Sequence, residues 1–154
     1  MNIDPIRPLV RGDLAHVARI VDDNQMFPSD ILDDMTRPFF ADDPGQRWLV
    51  HDDGQVGAVC YFAAEGLADR VWNLLMIAVH PSRHGKGLGQ SLMRQVEQDL
   101  ARHGARMLIV DTSGSESFDR TRRFYDLLGY EREARIRDYW AEGDDKIIFR
   151  KRLG

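Results

Sequence analysis

The chain has 154 residues, 43% hydrophobic and 30% charged, which suits one globular domain with a core of its own. Its formal charge of −4 argues against a general nucleic-acid binder, because phosphate affinity shows as an excess of Lys and Arg. The only cysteine, Cys60, excludes an intrachain disulfide and a two-cysteine zinc or redox motif, a usage that fits a reducing cytoplasm.

The opening stretch mixes charges every few residues and carries no apolar leader core. No later run approaches about 18 uninterrupted apolar residues, so neither export nor membrane spanning is expected. "NIDPIRPLV" reads as a short strand. "RGDLAHVARIVDD" then places Leu14, Val17, Ala18 and Val21 on one helical stripe, with Asp13 near its start as a cap. "PSDILDDM" predicts a second helix that Pro38 should end.

"RWLVH" and "QVGAVCYF" flank "DDG", the chemistry of a hairpin turn. "VWNLLMIAV", residues 71–79, is apolar nearly throughout and predicts a strand buried on both faces. From Gly87 onward Leu88, Leu92, Val96 and Leu100 recur every fourth residue, which predicts a helix closed by Gly104. "RMLIVD" is a further buried strand, and Thr121, Phe124, Tyr125 and Leu128 form a helical stripe closing at Gly129. "YEREARI" and "KIIFRKRL" predict a final strand pair joined by "RDYWAEGDD". The expected architecture is therefore a single α/β domain around a mixed sheet, in the order β-α-α-β-β-β-α-β-α-β-β.

Chemistry concentrates in "VHPSRHGKGLGQSLM", residues 79–93, where Gly85, Gly87 and Gly89 alternate just ahead of a helix. Bare backbone N–H groups at the positive end of a helix dipole suit phosphate oxygens. A P-loop is excluded, because Lys86 is followed by Gly87 and Leu88 instead of Ser or Thr. The dinucleotide fingerprint lacks its third glycine, Gln90 standing there, and His80 to His84 separate the loop from its strand. A turn that needs positive φ and nothing more is the bland alternative.

"IAVHPSRHGKGLGQSLM" resembles the acyl-CoA-binding motif of the GNAT superfamily of N-acetyltransferases, matching as His84-x-x-Gly87-x-Gly89. "RFYDLLGY", residues 123–130, resembles the family's second motif, and the predicted element order is the family's own. The resemblance implies acetyl-CoA as acyl donor, with its pyrophosphate on His84, Gly85, Lys86, Gly87, Leu88, Gly89 and Gln90. It implies that pantetheine lies along the main chain of Ile77, Ala78 and Val79. His84 departs from the usual Arg or Gln, which makes its side-chain contact pH-dependent. Phe118-x-x-Thr121 stands where the family has Asn-x-x-Ala.

The resemblance further implies a direct acetyl transfer to an amine, a small molecule or a peptide N-terminus, with no metal. Tyr125 matches the family's general acid, although it also lies on the apolar stripe of its helix and suits a core tyrosine. The base is open: an amide, Asn73, fills the central-strand slot, Asp111 ends the next strand, and His80 and a water chain are further options. Tyr139 sits where related enzymes cover their acceptor, and beside Trp140 it equally suits a homodimer contact. Arg120, Arg122 and Arg123 offer charge for a 3′-phosphate or a solvated basic face. Nucleic acid and membrane are not expected partners. The rival from another class is a non-catalytic acyl-CoA-binding sensor module.

Overall fold

The structure is a computed structural model that describes residues 5–154. Its elements run β1 (Ile6–Pro8), α1 (Leu14–Asp23), α2 (Leu32–Phe40), β2 (Gln46–Asp52), β3 (Val56–Ala64), β4 (Val71–Val79), α3 (Leu88–Arg102), β5 (Met107–Ser113), α4 (Asp119–Leu127), β6 (Glu131–Ala141) and β7 (Asp144–Arg152). That is the order read from the sequence, and the strands form one mixed sheet ordered β1-β2-β3-β4-β5-β7-β6. The expected first strand begins at Ile6, and its residues 2–4 lie outside the described ones. No helix among the described residues is long and apolar enough to cross a membrane.

The chain divides into two compact units, residues 1–63 with 75–99, and residues 64–74 with 100–154. In the first, β2 and β3 pair antiparallel from Gln46↔Ala63 to Asp52↔Val56, around the predicted turn. Val17, Ile20 and Val21 of α1 and Leu32 of α2 join Trp48, Val50, Val59, Met76 and Ala78 in one buried cluster. Removing such surface from water, at about 25 cal/mol per Å², is what fixes these helices on the sheet. Asp13 does not cap α1. Its carboxylate accepts the Val10 amide at 2.9 Å and two Arg7 nitrogens at 2.8 and 2.9 Å, closing the 3₁₀ turn before the helix. Pro38 lies inside α2, which runs on to Phe40. Proline in a last turn forfeits only its own N–H, and the carbonyls of Arg37 and Pro38 still accept from Ala41 at 3.0 and 3.2 Å.

In the second unit β4 pairs parallel with β5 over Val71–Leu74 and Met107–Val110, and β5 pairs antiparallel with β7 from Met107↔Arg152 to Ser113↔Lys146. Leu108, Val110, Tyr125, Tyr130, Ile147 and Phe149 are buried. The last hairpin differs from expectation: β6 runs to Ala141 and β7 starts at Asp144, so Tyr139 and Trp140 lie within a strand and not in a long turn. Side-chain carboxylates make this extension affordable. Asp138, at φ 54°, accepts the Gly143 amide at 2.8 Å, and Asp145 accepts the Asp138 amide at 3.0 Å, which closes an irregular pairing between Ile136 and Ala141.

Candidate active site

In the first unit, the end of β4 is less enclosed than its composition predicts. Met76 and Ala78 are buried, whereas Leu75 is half exposed and Ile77 and Val79 are half-buried, so one side of the strand's last five residues stays open. Strand geometry sends alternate side chains to opposite faces, and only the even positions enter the core. An apolar chain can therefore lie along the odd face of this strand.

A braced corner follows. The Val79 carbonyl accepts from Asn24 Nδ2 at 2.9 Å and from His84 Nε2 at 2.8 Å, which occupies both its lone pairs. The His80 amide donates to the Gly57 carbonyl at 2.8 Å. Its ring accepts the Ser82 amide at Nδ1, 3.2 Å, and meets Asp23 through Nε2 at 2.7 Å. Since Nδ1 accepts, Nε2 carries the proton and donates. Arg83 crosses over Gly57, where an added Cβ would lie 3.0 Å from its Nη1, and ends in an ion pair with Asp53. His84 and Arg83 are thus spent on holding the corner.

The loop itself turns on Gly85 and Gly87, at φ 77° and 82°, values that side chains other than glycine's adopt at a cost of about 1–2 kcal/mol. A Cβ on either would meet nothing within 4 Å, so glycine is demanded here by backbone conformation and not by crowding. Leu88 is buried and anchors the first turn of α3, while Gly85, Lys86, Gly87 and Gln90 are exposed and Gly89 half-buried. The amides of residues 85–90 donate to no described residue, as the opening of a helix requires. Successive unpaired N–H groups, glycine-shaped turns and the Lys86 ammonium fit a diphosphate.

In the second unit, Tyr125 is 2% exposed, edge-on to Phe124 and Tyr130 and tilted against Phe149, with ring centroids 5.2 to 5.7 Å away. The Leu-Gly-Tyr end of its motif has a local cause: Gly129, at φ 86°, lets Tyr130 N–H reach the Tyr125 carbonyl at 3.1 Å. Arg122, also buried, donates to the carbonyls of Ser113 and Ser115 at 2.8 and 2.7 Å and ties α4 to the end of β5. Arg123 pairs with Asp119 at 3.0 Å. Both arginines are engaged within the protein.

Asp111 is held by Lys146, whose Nζ lies 3.2 Å from Oδ2. That ammonium also sits 4.2 Å from the centre of the Tyr139 ring and 5.8 Å from that of Trp140, and Trp140 Nε1 donates to the Thr112 carbonyl at 3.1 Å. Burial, the largest single influence, works against the charge on Lys146, but Asp111 and Tyr139 together outweigh it and the lysine's pKa is raised. Asn73, 7% exposed, donates Nδ2 to Glu65 at 3.0 Å and comes within 3.5 Å of Asp111, while its buried Oδ1 has no partner. Sequence reasoning missed Glu65 and Lys146. The available signals were the hairpin that brings Glu65 beside the start of β4 near Asn73, and the place of Lys146, opposite Ser113 and diagonal to Asp111, once β5 and β7 are paired. Cys60 is fully buried, which pushes its thiol up to about 12, and no nucleophile is offered there. Among the described residues no group of three or more His, Cys, Asp or Glu side chains could hold a metal ion.

The fold is thus an α/β sheet with a glycine-shaped anion loop between its central strand and the following helix. The family model for the acetyltransferase (GNAT) family matches residues 17–130, and the chain belongs to that family. A GNAT-family protein from Desulfovibrio desulfuricans is 27% identical, with a TM-score of 0.88 over 97% of this chain and 98% of the other. The ribosomal-protein-S18-alanine N-acetyltransferase of Escherichia coli is 20% identical, with a TM-score of 0.77 over 97% and 93%. An aminoglycoside 6′-N-acetyltransferase in complex with coenzyme A is 14% identical, with a TM-score of 0.76 over 97% of both chains. Proteins named for a ribosomal-protein alanine and for an aminoglycoside thus have folds about equally similar to this one, so the fold alone does not choose the acceptor.

Proposed function

We propose that the chain is an acetyl-CoA-dependent N-acetyltransferase that acts directly, within a ternary complex, on a primary amine of a small molecule or of a peptide or protein N-terminus. The observation that carries this reading is the loop with Gly85 and Gly87 in left-handed conformations and its amides unclaimed at the head of α3. His84, Gly85, Lys86, Gly87, Leu88, Gly89 and Gln90 hold the pyrophosphate, chiefly by main chain. His84 contributes by bracing the loop against Val79. The main chain of Ile77, Ala78 and Val79, along the open odd-numbered face of β4, takes the pantetheine arm, and because the Val79 carbonyl is already saturated, its contribution is through its N–H and side chain. Acetyl-CoA supplies the activated acyl group.

Tyr125 donates the proton that the departing thiolate requires. Its ring is fixed by three aromatic neighbours, so the hydroxyl acts without reorganisation. The acceptor approaches the end of β5 beside Asp111, and Tyr139 of the last hairpin covers it. A cytoplasmic setting completes the reading. Calorimetric titration with acetyl-CoA, followed by thiol release with mixed amines, tests it. Binding with turnover that falls in Tyr125→Phe is the expected result. Binding without transfer to any amine would make the chain an acyl-CoA sensor, and absence of binding would remove the loop assignment altogether.

A further inference from the structure

Acetylation of an amine that arrives as an ammonium needs a base with charge to spare, and the two carboxylates beside Asn73 differ in that respect. Asp111 is already matched by the Lys146 ammonium at 3.2 Å, which the Tyr139 and Trp140 rings also hold in place. Glu65 has no cation within ion-pair distance among the described residues. Its carboxylate is bound by one neutral donor, Asn73 Nδ2, at 3.0 Å. The same nitrogen donates more weakly to Asp111, at 3.5 Å, so the shorter and stronger of its two bonds is the one to Glu65.

The backbone of Glu65 is pinned as well. Its N–H donates to the Val71 carbonyl at 2.9 Å and its carbonyl accepts from Ala68 at 3.1 Å, so the carboxylate stands on a fixed turn between β3 and β4. Asn73 itself is buried, and its Oδ1 is left without a donor. That oxygen is the far end of the amide whose nitrogen holds Glu65. A half-buried carboxylate with no ion-pair partner among the described residues is what an ammonium substrate would satisfy.

We propose that Glu65 is the proton acceptor for the amine, that Asn73 is the positioning residue that holds it, and that Lys146 keeps Asp111 out of the proton transfer. This rests on the acetyltransferase reading above. The balance is complete. The ammonium gives one proton to Glu65, which passes it to water, and the free amine forms the C–N bond as the C–S bond breaks. The nitrogen's second proton is lost as Tyr125 protonates the thiolate and is itself reprotonated. The net products are the acetamide, coenzyme A thiol and one proton.

The test uses the full chain with acetyl-CoA and three acceptors, tyramine, spermidine and an Ala-initiated hexapeptide, followed by thiol release against pH. Glu65→Gln should lower kcat by about 100-fold or more, the usual worth of a general base, and replace the wild-type acidic limb of the kcat/KM profile with one that follows each acceptor's own ammonium. Acetyl-CoA affinity should be unchanged. Asn73→Ala should shift the wild-type limb with a smaller loss, about 10-fold, which a purely structural role would not do. Hydrazine, a weakly basic acceptor, should restore much of the Glu65→Gln rate at neutral pH, and Asp111→Asn should keep the limb. Retention in Glu65→Gln of the wild-type limb, at the same pH for every acceptor, overturns the proposal, whether Asp111→Asn loses it or not. A wild-type chain that binds acetyl-CoA but acetylates none of the three, or that does not bind it, overturns the underlying reading and this one with it.

Discussion

Gly87 and Gly143 have the same backbone angle, φ 82°, and a Cβ built on either meets nothing within 4 Å, but only Gly87 lies in the anion loop. The pair therefore separates conformational strain from ligand binding. An alanine forced into the left-handed region costs about 1–2 kcal/mol, and with open space around the new methyl no steric cost is added. For a chain of this length that corresponds to a loss of roughly 2–8 °C in Tm, expected alike for Gly87→Ala and Gly143→Ala. Affinity should divide them. If the methyl or a relaxed loop removes one main-chain N–H from a phosphate oxygen, the loss is that of a hydrogen bond to a charged group, about 1.5–3 kcal/mol, or roughly 10- to 150-fold in Kd. Thermal unfolding and calorimetry with acetyl-CoA measure both terms on the same samples. Equal weakening of acetyl-CoA binding in the two variants would mean that general destabilisation, and not the loop, sets affinity. Unchanged affinity in Gly87→Ala would refute the anion-site argument itself.

Tyr125→Phe keeps the aromatic packing and should lower kcat by about 100-fold with acetyl-CoA affinity preserved, read by thiol release and calorimetry. Asp13 is buried, and its hydrogen bonds from Arg7 are the largest cause holding its carboxyl below the usual value. A depressed folded-state pKa gives stability that is present above the unfolded value, near 4, and lost as pH falls through the folded one. Asp13→Asn should therefore lower the urea midpoint at pH 7 by an amount equivalent to about 1–3 kcal/mol, and the gap from wild type should narrow at pH 3. Cys60, buried with its thiol pushed up to about 12, should resist a thiol-modifying disulfide reagent in native protein at pH 8 and react fully in denaturant.

Element order was legible because each helix carries a continuous apolar stripe and each break carries its own chemistry: Gly104 and Gly129 after helices, "DDG" between strands. The glycine loop was legible for the same reason, since its demand is made on the main chain and glycine alone meets it at φ 77° and 82°. What periodicity could not show was where side-chain carboxylates replace backbone pairing. Asp138 and Asp145 carry β6 through an irregular stretch that composition presents as a turn, and the strand they extend takes Tyr139 and Trp140 to Lys146.

The acid–base residues show the limit more sharply. Asp111 stood out as a strand-end carboxylate, but whether such a group carries free charge depends on what faces it from the neighbouring strand, and Lys146 is 35 residues away in the chain. Asn73 looked like the loss of a base from the central strand. With its amide on Glu65 it is better understood as the holder of a base carried by the turn between β3 and β4, a change of role that no single position reveals because the chemistry is divided between two residues. If that division is correct, the amide at position 73 and the carboxylate at 65 are functional only together. Asn73→Asp would then fail to improve on the wild type: two anions so close would compete for one proton, and the shift of the acidic limb toward higher pH in that variant would show the coupling directly.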